Sequence, residues 1–156
     1  MIVTIWIALI LFVAGEYELR TPRSLQPVAR SLFLLGALIC AVHIVLAMRD
    51  VHGWSHAAAL EATAEQTAQV YGLRWDGGIY VNYLFVAVWL ADAIARVISP
   101  MSVARRSAAL VWALRAFYFV IIVNAAVIFA RPEMRWMGVV MCVLIGLAWV
   151  GGRRRA

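Results

Sequence analysis

This chain contains no lysine. Its 14 basic residues are all arginine, which excludes Schiff-base and lysine-nucleophile chemistry. A GC-rich genome is the plain origin of such a composition. Cysteine is scarce as well. Cys40 and Cys142 both lie inside apolar blocks, which makes them poor candidates for a secreted disulfide framework. No serine–histidine–carboxylate set, nucleotide loop or phosphate-binding glycine motif is present. The stretches "WDGG" and "RWMG" read as turns. No internal repeat of the kind that marks many secondary transporters appears.

Apolar sequence, by contrast, is abundant. The chain has 156 residues and is 65% hydrophobic, whereas a soluble domain sits near half. The excess falls into five blocks, about 1–15, 31–48, 79–98, 108–130 and 136–152, separated by arginine-bearing segments. A bilayer core of about 30 Å takes about 20 helical residues at about 1.5 Å each. Blocks two to four satisfy this; blocks one and five must borrow flanking residues or thin the bilayer locally. Pro22, Pro27, Pro100 and Pro132 all fall between blocks, as expected where a proline inside a helix is costly. The expectation is an all-α membrane protein: a single polytopic domain over 1–156, built as a bundle of about five transmembrane helices.

Block one has no basic n-region, although "VAG" would serve as a cleavage site, and it is read as a retained transmembrane helix. Orientation follows from the arginines. With the N-terminus outside, segments 16–30, 99–107 and 153–156 together with Arg96 hold nine arginines on the inner side, against four (Arg49, Arg74, Arg131, Arg135) outside. The expected location is a bacterial inner membrane, N-terminus out and C-terminus in. The net charge of +6 is then mostly a cytoplasmic anchor, which argues against nucleic acid as a partner. Trp54, Trp75, Tyr80, Tyr83 and Trp136 fall at the expected outer interface, Tyr17 and Trp149 near the inner one.

Residues 49–78 form the one long loop. Ser55 suits a helix N-cap, "HAAALEATAEQTAQVY" is rich in helix formers, and Gly72 suits the C′ position. The spacing predicts an amphipathic surface helix of about 16 residues. Ala57, Leu60, Ala64, Thr67, Ala68 and Tyr71 lie toward one side of it, and Glu61, Glu65 and Gln69 toward another.

Polar groups inside the blocks are costly, so each is a functional hypothesis. Asp92 and Arg115 share a depth, each about seven residues from the inner end of its block, and an interhelical ion pair is the expected arrangement, with Arg96 as a competing partner. Such a pair fixes helix register or serves as a proton or ion relay. His43, Asn82 and Asn124 lie in the outer half; interhelical hydrogen bonding is the favoured reading, and the alternative is that with Tyr80, Tyr83, His52 and His56 they converge on a polar pocket opening outward. Gly138, Cys142 and Gly146 recur every four residues, as do Gly36 and Cys40, a small-residue pattern for helix packing. Met134, Met137 and Met141 share one side of block five and read as packing rather than haem ligands.

The stretch "VHGWSH" at 51–56 sets His52 and His56 four apart, the spacing of a metal-chelating helical pair. It lacks the zincin glutamate, and Gly53 with an N-cap at Ser55 argues against a continuous helix. A metal site would draw on His43, His52 and His56, and a haem would need His43 plus one of the loop histidines. The residues support three readings. One is a non-enzymatic binding or accessory subunit of a membrane assembly, in contact with lipid and with copies of itself or a larger complex. The second is a metal-, haem- or quinone-dependent redox protein with its site at the outer histidines. The third is a small proton-coupled transporter or channel. The balance leans against an enzyme, and no cofactor beyond a possible metal or haem is implied.

Overall fold

A computed structural model describes residues 2–151; Met1, Gly152 and the three C-terminal arginines of the inner-side count lie outside the described residues. Seven α-helices follow one another: α1 (Ile2–Glu16), α2 (Gln26–Asp50), α3 (His56–Tyr71), α4 (Gly78–Ile98), α5 (Pro100–Ala104), α6 (Ala108–Val123) and α7 (Arg135–Gly151). No strand occurs among the described residues. Four helical runs, Arg23–Asp50, Gly78–Ile98, Ala108–Ile128 and Pro132–Val150, are long and apolar enough to cross a membrane. The first apolar helix is shorter: its 15 residues span about 22 Å at the helical rise.

The punctuation of the sequence sets most boundaries. Pro27 and Pro100 each occupy the first turn of their helix, where no intrahelical N–H bond is lost. Ser107 caps α6, its hydroxyl accepting from the Leu110 N–H at 3.3 Å. Ser55 caps α3, accepting from the Ala58 N–H at 3.1 Å, and Gly72 ends α3 in the left-handed region at φ 71°. Ser55→Ala is expected to cost about 1 kcal/mol of local stability. Hydrogen exchange reads this out: the first turn of α3 should exchange faster while α4 keeps its protection, and an unchanged α3 would contradict it.

The loop helix is thus present at its expected length, 16 residues, and its contact face overlaps the expected side at Ala64 and Thr67, with Ala59 added and the two ends of that side left out. Ala59, Ala64 and Thr67 are buried, whereas Ala57 and Tyr71 are exposed. Thr63 approaches Gly78 at the start of α4. Small side chains on this side let α3 lie close to α4.

Helix α1 buries one face despite its length, while Val3, Ile7 and Ile10 stay exposed. It packs along α2 and also against α7, and α2 packs on α4. Phe12 is fully buried and touches three rings: Phe33 at 5.2 Å, Trp89 at 5.1 Å and Tyr118 at 5.3 Å between centroids. The edge-on geometry of the last two is the arrangement that aromatic quadrupoles favour. Gly36 makes the close α1–α2 approach possible, since a Cβ there would lie 3.0 Å from the Ala8 carbonyl oxygen. The bundle's outer surface stays apolar. Leu35, Leu38, Val42 and Val45 of α2 and Val139, Val143 and Leu147 of α7 are all exposed, as suits helices facing hydrocarbon.

The fourth block does not end as a simple α-helix. After Val123 it widens into a π turn over Asn124–Ile128, closed by the Phe129 N–H donating to the Asn124 carbonyl at 2.8 Å.

Candidate functional site: a cavity beneath the loop helix

Two polar assemblies lie at opposite ends of the bundle. The first surrounds Asp92 on α4. Arg96, one turn on, donates to Asp92 Oδ2 at 3.1 Å and to Glu16 Oε1 at 2.7 Å. Arg106, brought back by α5 and the connection after it, pairs with the other Asp92 oxygen. The Tyr118 hydroxyl donates to Asp92 Oδ2 at 3.3 Å, and the Trp149 indole N–H donates to Glu16. The Arg96 guanidinium also lies 3.9 Å from the centroid of the Phe33 ring. Helices α1, α2, α4, α6 and α7 all contribute a side chain.

Among the described residues, the ion pairs of Asp92 run to Arg96, the competing partner foreseen one turn away, and to Arg106. Arg115 instead stands over the rings of Trp112 and Trp149, at 5.2 and 5.5 Å. Depth alone put Asp92 and Arg115 together; the fold-back at α5 brings a different arginine to the same carboxylate. With both oxygens of Asp92 and both of Glu16 engaged, the assembly carries two carboxylates against two guanidiniums and reads as a structural node. The sequence reading missed Glu16 and Arg106. Their signal was position: each lies at the junction between a block and the arginine-rich segment beside it.

The second assembly is a cavity of about 520 Å³ at the α3 end. Its floor comes from α1 and α4, with Ile5, Trp6, Leu9, Phe85 and Val86. One wall is the last third of α2, where His43, Ala47 and Met48 face in, followed by His52. The opposite wall is α6 and its π turn, through Ile122, Ala125, Ala126 and Phe129. Ala62, Thr63 and Gln66 of α3 complete it, with Asn82, Tyr83 and Arg131. The π turn supplies two of these wall residues, Ala125 and Ala126, and Phe129 follows it directly.

Several expected residues therefore meet. His43, His52, Asn82 and Tyr83 line one cavity. Asn124 does not. Its side chain accepts from the Tyr71 hydroxyl at 2.8 Å and donates to the Val120 carbonyl at 2.9 Å, which ties the end of α3 to the π turn. His56 is turned away too: its Nε2 is hydrogen-bonded with the Tyr80 hydroxyl at 3.2 Å, and its ring stacks on Tyr83 at 6.1 Å. His43 Nδ1 is hydrogen-bonded with the Thr4 hydroxyl at 2.8 Å. Among the described residues, no three His, Cys, Asp or Glu side chains are placed to hold one metal ion, so His43, His52 and His56 do not form a ligand set. The physical reason lies in the turn between them. Gly53 and Trp54 both adopt positive φ, 54° and 63°, which ends α2, starts α3 in a new direction and breaks the helical i, i+4 relation of the two loop histidines.

The cavity's polar groups keep hydrogen-bonding capacity. The side chains of His52, Gln66, Asn82 and Arg131 make no hydrogen bond or ion pair with another described residue. Among the described residues the Tyr83 hydroxyl has only the Met48 sulfur, at 3.7 Å, a weak acceptor. Nearby, at the end of α3, Glu61 pairs with Arg74 at 2.5 Å and raises the arginine's pKa, first through the hydrogen bond and then through its charge. That pair is exposed and closes the loop rather than the cavity.

Compared with known proteins, the chain matches no family model, no curated protein and no solved structure. Chemistry at the cavity rests on the residues themselves. An apolar chamber of this size with a few convergent polar groups is the common form of a small-molecule site.

Proposed function

We propose that this protein is a small multi-pass protein of the bacterial inner membrane that binds a lipophilic molecule without transforming it, as a binding or accessory component of a membrane assembly. In this reading α1 crosses the bilayer with the four longer helices. The N-terminus faces outside and the C-terminus the cytoplasm, and α3 lies along the outer surface as the roof of the binding chamber. The arginine asymmetry supports the orientation. The apolar helix faces support the membrane setting.

One observation carries the binding reading: the roughly 520 Å³ cavity combines an apolar floor with four polar side chains that have no hydrogen-bond or ion-pair partner among the described residues. The volume lies within the range of about 300–1,000 Å³ usual for ligand pockets. Its depth runs from polar groups beneath α3 to Trp6 and Leu9 on α1, which suits a molecule with a hydrogen-bonding head and an apolar body. A redox or metal reading would draw on the same histidines, but His43 and His56 are engaged elsewhere, by Thr4 and Tyr80.

Filling the chamber tests it. Purified protein in nonionic detergent is titrated with monoolein and one-to-one adducts are counted by native mass spectrometry. Wild type should show a single saturable adduct. Ala47→Phe and, separately, Ala62→Phe should each weaken it about tenfold or more, the loss expected when apolar contacts worth about 1.4 kcal/mol are denied. Circular dichroism confirms that helix content is retained. Monoolein binding that is the same in both variants as in wild type would refute the assignment.

A further inference from the structure

The charge of the chamber is one-sided. Among the described residues no aspartate or glutamate lines it, whereas Arg131 does. Arg131 is exposed at the end of the π-turn wall. It forms no ion pair with any described residue, although Glu133 lies two positions away and Glu65 sits beside Gln66 on α3. Elsewhere the carboxylates find arginines: Glu16, Glu18, Asp50, Glu61 and Asp92 all have one. Arg135 extends the basic rim. Its guanidinium donates to the Ala130 and Ile128 carbonyls at 3.1 and 3.4 Å, which spends donors but leaves its charge uncompensated by any described acid.

From this placement we infer that the chamber selects amphiphiles with an anionic head, a carboxylate or a phosphate, held at Arg131 and His52 while the chain lies against Trp6, Leu9 and Phe85. The inference rests on the binding reading above and narrows it to a ligand class. Physical chemistry favours the choice. A guanidinium has five donors in a planar fork that matches both anions. A partly enclosed apolar site strengthens such a contact relative to open water. Gln66, Asn82 and Tyr83 add neutral donors along the same rim, so an oxyanion's remaining lone pairs also find partners.

The test uses the full-length protein in nonionic detergent with four probes: oleate, oleoyl lysophosphatidate, the uncharged monoolein, and inorganic phosphate as competitor. Wild type is expected to bind at least one anionic amphiphile about tenfold more tightly than monoolein, the scale of one charge-assisted hydrogen bond. Whichever of oleate and lysophosphatidate binds more tightly identifies a free fatty acid or a phospholipid-type head as the source. Arg131→Gln should weaken binding of the anionic probes about tenfold more than that of monoolein, and so abolish the preference. Arg49→Gln, at an exposed arginine already paired with Asp50 at 2.6 Å, should keep it and so controls for general surface charge. Equal binding of charged and uncharged probes, a preference that survives Arg131→Gln, or displacement of oleate by inorganic phosphate alone would each overturn the inference while leaving the chamber a lipophilic site. Failure of every amphiphile to bind would overturn both readings.

Discussion

Asp92→Asn should destabilise the detergent-solubilised protein by roughly 3–5 kcal/mol, the cost of leaving a buried charge without its partner. Asparagine keeps the shape of the side chain and removes its charge. Glu16 would still neutralise Arg96, to which it is bonded at 2.7 Å. Arg106 has no second acid among its described ion pairs, so it becomes the uncompensated group. The Asp92 side chain is 2% exposed, whereas Arg106 is 19% exposed; water reaches the arginine better than the carboxylate, which places the loss toward the low end of the range. The double variant Asp92→Asn with Arg106→Gln should recover much of the stability, because no unpaired charge then remains. Asp92→Asn with Arg115→Gln should not, since the guanidinium of Arg115 sits over Trp112 and Trp149. Thermal unfolding followed by circular dichroism separates these outcomes. A loss in Asp92→Asn below about 1 kcal/mol, the ceiling for a solvated surface pair, would show that the node is not holding the helices together. Recovery by the Arg115 double variant would show that depth, not the fold-back at α5, chooses the partner.

The contrast between Arg106 and Arg115 shows which parts of the architecture were legible in the sequence. Long apolar runs and the prolines between them specify helices one at a time, and they specified α2, α4, α6 and α7 to within a few residues. The caps at Ser55 and Gly72 are local chemistry and were equally readable. Contacts between helices depend on axial rotation and on where each connection sends the chain, and neither is written in hydropathy. Arg106 reaches Asp92 only because Pro100–Ala104 forms an extra turn of helix. Asn124 leaves the pocket because its side chain is engaged by the Tyr71 hydroxyl and the Val120 carbonyl; the π turn that starts there adds one residue to the turn, so the positions after it no longer follow α-helical spacing. His43, His52, Asn82 and Tyr83 were legible as a group because they precede any such irregularity in their own helices or close the helix that carries them. Their cavity was not, since a void is a property of packed surfaces.

Two substitutions of the same kind on α7 should have opposite signs, and this tests the packing of the π turn. A Cβ on Gly138 would lie 2.0 Å from the Ala126 carbonyl oxygen and 2.5 Å from its carbonyl carbon. Both are backbone atoms, so no side-chain rotation relieves the contact. Either α7 moves outward or the π turn rewinds. Overpacking of this kind costs about 1–3 kcal/mol or more, and Gly138→Ala should lower the unfolding midpoint accordingly. Gly146, two turns along the same helix, has nothing within 4 Å of an added Cβ. Alanine there relieves the intrinsic penalty of a mid-helix glycine, about 0.8–1.0 kcal/mol, and Gly146→Ala should raise the midpoint. The sequence pattern treats the two glycines as equal members of one small-residue stripe; only the close approach of α7 to Ala126 distinguishes them. The effect also reaches the chamber. Ala125, Ala126 and Phe129 line it from the π turn, so a rewound turn would withdraw part of one wall, and Gly138→Ala should weaken the monoolein adduct while Gly146→Ala leaves it intact. Equal shifts in the two variants would show that α7 does not rest on the π turn as described. A destabilised Gly138→Ala protein that binds monoolein normally would show that the π turn supports the bundle without shaping the site.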